Sequence, residues 1–507
     1  MSRVPLTLLW PILLLALGCG TQSNVSPPAD AAATPAAPRA ALDSTNGKAS
    51  TPSSHQAVAA PAAFGRQSTH KQDLADAHLQ VGSQPLADVP PDSVQTRASV
   101  DEARIASFGI RKLSGEHLTL YTDLPDSPAV DQLVTAFDQA YPQWCDYFKV
   151  PALRDQPWRA TACVMSDKER FVNAGLLPHN LPSFRHGYFR GDRFWVYDQP
   201  DDYYRRHLLL HEGTHAFMDA VLGSCGPPWY KEGMAELLAT HAIEGGRVRL
   251  NYLPVDADDV PGWGRVRLVH DARGAGRSLK IDDILAFETG AHLDIEPYAW
   301  CWAAAAFLDG HPAYRERFRQ LSARAGSADF NGLLRKEFAA DWPHLGEEWQ
   351  LFAAHLDYGY DLPRAAIDFR PGEPLPTGGA KVEVAADRGW QSTGITLAAG
   401  KTYRLRATGR YQVAAAPRPW LSEPSGVTIR YWEGQPLGAL LAAVHPEPFD
   451  PRQESALLAP IVVGNETTIQ PTATGTLYLR INDSDAELAD NAGSLEVQVT
   501  EERKPNS

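Results

Sequence analysis

The sequence predicts a multidomain chain: an α+β unit over residues 107–370 whose second half is mainly helical, then an all-β sandwich over 381–503. Three observations predict it. Apolar residues recur with mixed and then helical spacing up to about residue 370, and with a period of two beyond it. A Pro/Gly-rich stretch, 371–380, stands at the change and reads as a linker. Ahead of both, residues 20–106 are rich in Ala, Pro, Ser and Gln and bury too little to offset the entropy of ordering, so they read as a disordered tether. At roughly 150 residues per domain, 507 residues leave room for about three such units.

The first element is a signal. Arg3 supplies a positive start, and residues 6–17 are apolar apart from Thr7, too short a run to span a bilayer. Ala16-Leu17-Gly18-Cys19 resembles a bacterial lipobox, which implies a signal peptide over 1–19, export, and a lipid anchor on Cys19 at the cell envelope. Four further cysteines, Cys145, Cys163, Cys225 and Cys301, permit two disulfides or free thiols, and the spacing does not choose. The charge sum, 47 basic against 61 acidic residues for a net of −14, argues against a nucleic-acid partner, which needs a basic stripe to neutralise phosphates.

Within the α+β unit, Leu118-Thr119-Leu120-Tyr121 reads as a strand. Val130, Leu133, Phe137 and Tyr141 give residues 128–148 a helical period. Residues 159–165 read as a second strand, 168–174 as a short helix, and 188–197 as a hairpin turning at Gly191-Asp192. In the sandwich, Lys381-Val382-Glu383-Val384, Thr402-Tyr403-Arg404-Leu405-Arg406, Leu477-Tyr478-Leu479-Arg480-Ile481 and Leu495-Glu496-Val497-Gln498-Val499 alternate as half-buried strands do.

The chemistry is concentrated in His211-Glu212-Gly213-Thr214-His215. On a helix, positions i and i+4 share a face, so both imidazoles can hold one Zn²⁺, and Glu212 can act as general base toward a water there. Chance supplies this pattern in roughly a few per cent of chains of this length, so a third donor is needed. It is found after a Gly-Pro turn: Pro228 suits a helix start, Glu232 can be the third ligand, and Glu236, one turn on, can orient a ligating imidazole. His207, one turn before His211, could join the site but reads first as a helix-surface or core residue, His241 reads as a helix-end residue facing the dipole, and Trp300 and Trp302 as core.

HExxH followed by Trp229-Tyr230-Lys231-Glu232-Gly233 resembles the gluzincin zinc peptidases, in particular the aminopeptidase-N-like group and the peptidase MA-like domains of exported bacterial proteins. The resemblance implies a zincin-like fold, zinc on His211, His215 and Glu232, Glu212 as base, and Tyr298, in Pro297-Tyr298-Ala299-Trp300, as the residue that stabilises the oxyanion. The Gly-x-Met-x-Asn strand that holds a substrate's N-terminus in those aminopeptidases is replaced by Arg185-His186-Gly187-Tyr188-Phe189, so endo- or exo-cleavage stays open.

Residues 389–395, 407–411 and 477–494 resemble the galactophilic bacterial lectins, a jelly-roll sandwich of galactose-binding type. That resemblance implies Ca²⁺ held by the Tyr411 carbonyl and by Asp483, Asp490 and Asn491, with Glu487 in the same loop; clustered oxygens suit that cation. The His and Gln that the lectin aims at its sugar have no equivalents in Ser422-Glu423-Pro424-Ser425-Gly426. The expectation is an exported, lipid-anchored zinc metallopeptidase acting on a peptide or protein. The alternative is a non-catalytic, zinc-containing surface protein whose sandwich binds glycan.

Overall fold

A computed structural model describes residues 101–150, 158–288, 295–446, 448–450 and 452–502. The signal peptide with Cys19, and the tether up to residue 100, lie outside the described residues.

Strands β1 (Arg111–Ser114), β2 (Leu118–Thr122), β3 (Ala160–Met165), β4 (Gly187–Arg190) and β5 (Arg193–Tyr197) form one sheet in the order β1-β2-β3-β5-β4. β2, β3 and β5 are parallel, while β1 and β4 are antiparallel edges. The parallel strands are apolar on both faces, as strands covered on two sides must be. Leu120, Ala162, Val164, Phe194 and Val196 enter one core, and Tyr121, Cys163, Met165 and Trp195 another. Helices α1 (Glu102–Ser107), α2 (Pro128–Tyr147) and α3 (Lys168–Ala174) cover the sheet. Ile105 and Phe171 join the second core, and Leu133, Phe137 and Trp144 the first. Helix α1 falls inside the stretch read as tether. Asp101 caps it by accepting from the Arg104 N–H, and burial of Ile105 repays its ordering.

Helix α4 (Asp202–Leu222) starts where the Asp201 side chain accepts from the N–H groups of Tyr203 and Tyr204, and stops at Gly223, whose φ of 71° suits a glycine cap. Helix α5 (Pro228–Ala239) opens on its proline. The hairpin β6 (His241–Glu244) and β7 (Arg247–Leu250) follows. Then come α6 (Arg265–Gly274), α7 (Ile281–Leu285), α8 (Ile295–Gly310), α9 (Arg315–Gln320), α10 (Phe330–Glu337), α11 (Trp342–His355) and α12 (Leu362–Ala365). Two glycines set how closely these helices cross. A Cβ on Gly213 would lie 2.5 Å from the Phe137 ring of α2, and one on Gly233 would lie 2.6 Å from the Cys301 carbonyl oxygen of α8. Trp300 and Trp302 are core residues. His241 follows the C-cap of α5, begins a strand and is buried; its Nδ1 donates to the carbonyl of Ala239, the last residue of that helix, at 2.7 Å, and its Nε2 accepts from Arg206 Nε at 2.7 Å. Burial, with Arg206 beside it, pushes it down to about 3, so it meets the helix end as a neutral donor rather than as a cation. The four cysteines are buried free thiols.

The second half contains β8 (Glu373–Pro374), β9 (Ala380–Ala385), β10 (Gln391–Leu397), β11 (Thr402–Thr408), β12 (Tyr411–Ala414), β13 (Trp420–Ser422), β14 (Ser425–Trp432), β15 (Gln435–Pro446), β16 (Ile461–Val462), β17 (Glu466–Ile469), β18 (Gly475–Ile481) and β19 (Ser494–Glu502). One sheet runs β14-β15-β18-β10-β8 with β16 beside β15, and the other runs β17-β11-β19-β9. Leu405 and Val497 from the second sheet meet Leu440 and Leu479 from the first in one core. No sheet among the described residues closes into a barrel. The stretch read as a linker is partly structural: Glu373 pairs with Ile395 in parallel register, and the Gly372 N–H donates to Thr476 Oγ1 at 2.8 Å.

The outer face of β15 and β18 is buried as well. Leu441, Ala443 and Tyr478 pack with Trp390, Leu457 and, from α11, Leu351. Across this contact the buried Glu347 carboxylate accepts from Ser455 Oγ and stands 2.8 Å from His445 Nε2, while His355 Nδ1 lies 3.0 Å from Asp485 Oδ2. The two halves therefore share one packed body. No helix among the described residues is long and apolar enough to cross a membrane.

Candidate metal centre

Helix α4 is buried along nearly its whole length between the sheet, α2 and α5, so the imidazoles of its HExxH face are directed into protein rather than water. His211 Nε2 and His215 Nε2 are 3.1 Å apart, and each is 3.3 Å from Glu232 Oε2 on α5. A tetrahedron whose corners lie about 2.0–2.1 Å from its centre has edges of roughly 3.3 Å. The three donor atoms are thus spaced as one face of a zinc-sized tetrahedron. Glu232 Oε2 has no hydrogen-bond partner although it is buried, the signature of an acceptor kept for something else. Two imidazoles and a carboxylate are the donor set of a zinc site with one position open. The residues present therefore fit the ion.

The surroundings hold each donor in its role. Burial alone would raise Glu232, but His215 and His211 hold it well below the usual carboxylate range. Lys231 Nζ lies 3.3 Å from its other oxygen, Oε1, which leaves Oε2 facing the two imidazoles. Lys231 also sits 5.1 Å from the centroid of Phe189, whose ring stacks on His215 at 5.0 Å. Burial pushes His215 down to about 4, which keeps a neutral imidazole available as a ligand. Glu236 Oε1 lies 3.3 Å from His211 Nδ1, an oblique contact, and Oε2 lies 3.3 Å from His207 Nε2.

Among the described residues, two clusters have the donors for a metal: His211, His215 and Glu232, and beside them His207, His211 and Glu236. The second is already neutralised. Arg265 donates to both Glu236 oxygens, at 2.9 and 3.1 Å, which leaves Glu236 the part of an orienting carboxylate.

Glu212 lies beside the donors, buried, with its pKa pushed up to about 7 chiefly by that burial. Its neighbour is Gly187 on the edge strand β4: a Cβ there would overlap Glu212 Oε1. Tyr298, in the first turn of α8, has its ring 6.0 Å from that of His211. Burial and the carboxylates of Glu232, Glu212 and Glu236 push its phenol up, so it remains a hydrogen-bond donor. The structure therefore brings Glu212, Tyr298, His211, His215, Glu232 and Glu236 into one cluster. Sequence reasoning missed Lys231, Phe189, Gly187 and Arg265. Gly187 lay inside a quoted motif, but Arg265 is 29 positions from its partner and carried no local signal.

The residues expected around Ca²⁺ converge only in part. Asp483 Oδ2 accepts from Asn491 Nδ2 at 2.9 Å, and burial pushes Asp483 up to about 6. Glu487 pairs with Arg430 at 2.6 Å and Asp490 accepts from the Ala415 N–H at 2.9 Å, while the Tyr411 hydroxyl, not the carbonyl expected to ligate, lies in hydrogen-bond contact with the Glu423 and Gly438 carbonyls.

No family model matches this chain, and no curated protein does. A solved structure described as "EclA N-terminal domain; PllA-like lectin" is similar at 26% identity, over 24% of this chain and 95% of that one, with a TM-score of 0.19. So slight a likeness carries no argument about fold or function.

Proposed function

We propose that this chain is a zinc-dependent metallopeptidase with a zincin-like α+β half and a jelly-roll sandwich, exported and held at the bacterial cell envelope through a lipid on Cys19. The observation that carries the reading is the spacing of His211 Nε2, His215 Nε2 and Glu232 Oε2, 3.1–3.3 Å apart, with Glu212 and Tyr298 beside them. When bound, zinc supplies Lewis acidity that polarises a carbonyl and makes water a better nucleophile. Glu212 accepts the proton released as water adds to the peptide carbonyl carbon, and returns it to the nitrogen as the C–N bond breaks. Tyr298 donates a hydrogen bond to the oxygen on which negative charge develops. Glu236, itself clamped by Arg265, keeps the His211 ring turned so that Nε2 faces the centre.

The test is zinc content of the purified chain, followed by a peptide library. About one zinc per chain, lost in Glu232→Ala, is the expected result, with cleavage that disappears in Glu212→Gln. An absence of zinc under metal-replete conditions, or undiminished turnover in Glu212→Gln, overturns the reading.

A second reading, a non-catalytic glycan-binding surface protein whose sandwich takes Ca²⁺, draws support from one feature. Beside Asp483, the buried acceptors Asn482 Oδ1 and Asn491 Oδ1 lack donors. Calcium-dependent retention on glycans without peptide cleavage would favour it.

A further inference from the structure

A large cleft lies away from the metal centre. A cavity of about 950 Å³ opens where the helical half meets the sandwich, walled on one side by the 251–255 segment after β7, by α8 and α9 and by the 357–363 segment, and on the other by β14 and the 484–489 loop. Its volume is at the upper end of the roughly 300–1,000 Å³ typical of small-ligand sites, which favour such junctions. Neither half contains it alone.

Its chemistry narrows the ligand. Half-buried aromatic rings line it: Tyr252, Tyr358 and Trp432. Most of its charges are spoken for: Arg319 pairs with Asp309 and Arg430 with Glu487. Two are not. Arg315 donates to the carbonyls of Asp309 and Gly310, and Asp357 accepts from the Tyr358 N–H. Among the described residues, neither of those two side chains has a partner of opposite charge. A phosphorylated or nucleic-acid ligand would need clustered, unpaired cations. A lipid would need a closed, dry, apolar cavity. Arg315 and Asp357, each bonded to main chain but unpaired in charge, together with several aromatic rings suit a neutral molecule that both donates and accepts through many hydroxyls and offers C–H faces to rings.

We propose that this interdomain cleft binds a short neutral oligosaccharide. The proposal does not rest on the metal-centre reading. It is also distinct from cation-dependent binding through Asp483 and Asn491, which are buried while Ser484, Glu487 and Ala489 of the same loop line the cleft.

The test is retention of the purified full chain on an array of neutral oligosaccharides, with calcium and with a chelator, for the parent chain, Tyr358→Ala, Asp357→Asn and Ala489→Trp. The last sets bulk on an exposed lining position. The expected result is chelator-insensitive retention of at least one oligosaccharide, weakened at least tenfold in each variant with melting temperatures unchanged. Three results would overturn the proposal: no oligosaccharide retained; retention that vanishes with chelator and is indifferent to the three substitutions; or a peptide library retained instead, with the same substitutions releasing it.

Discussion

Glu212 has room for its carboxylate because the edge strand beside it carries no side chain at Gly187. Displacing a catalytic group by about 1 Å can cost about a hundredfold in rate. Gly187→Ala is therefore expected to lower peptide cleavage by about that factor while zinc content stays at the parent level; equal turnover in the variant would contradict this placement of the base. A second residue matters for stability. Asp309 is buried and accepts from Tyr147 Oη, Asn251 Nδ2 and both Nε and Nη2 of Arg319. Burial alone would raise its carboxyl, but Arg319 and its other donors hold it below the usual range. The unfolded chain therefore binds this proton at a higher pH than the folded one does. The stabilisation is present above the unfolded value, near pH 4, and is lost as pH falls through the depressed one. Asp309→Asn should cost roughly 3–5 kcal/mol near neutrality, as the loss of one partner of a buried pair does. Its urea-unfolding stability should fall less steeply than the parent's below about pH 4; an acid limb as steep as the parent's would contradict the assignment.

Among the elements, α5 and α8 depend on a missing side chain. Gly233 lets α5 approach the Cys301 carbonyl of α8, with Ala305 also in contact. Since Glu232 precedes Gly233 and Tyr298 lies one turn before Cys301, this crossing sets the spacing of ligand and phenol. Gly233→Ala forces the helices apart and is expected to cost roughly 1–3 kcal/mol, as overpacking does, and to lower cleavage with it. A variant as stable and active as the parent would show that the crossing tolerates a methyl group. Several elements were legible in the sequence. The helical period of α2, the alternation in β11 and β19 and the turn at Gly191-Asp192 rest on neighbours within a few positions. The packing partners of α8 were not legible. It is buried on nearly every face, so its sequence names no side on which a neighbour lies.

For the whole molecule, the contact between α11 and the sandwich is the decisive feature, because it buries charge. Glu347 is inaccessible and holds His445 and Ser455 together. Its removal leaves both stranded, a loss of roughly 3–5 kcal/mol. The parent is expected to unfold in one calorimetric transition and Glu347→Ala in two; a parent that already unfolds in two steps would mean that the halves are independent. The division near residue 370 was legible as a change of period, but the linker's pairing into a sheet and the cleft beside it were not. By itself, the sequence determined part of the local structure: the period of α2, the alternation of several sandwich strands, and that two imidazoles four residues apart share a helix face with a glutamate between them. Those follow from backbone geometry and from neighbours near in the chain. Only the tertiary structure decided that Arg265 clamps Glu236, that Gly187 borders Glu212, that Glu487 pairs with Arg430, and that the sandwich is seated on α11. Such pairings join residues far apart in the chain, and burial rather than local propensity selects among the partners that topology makes available.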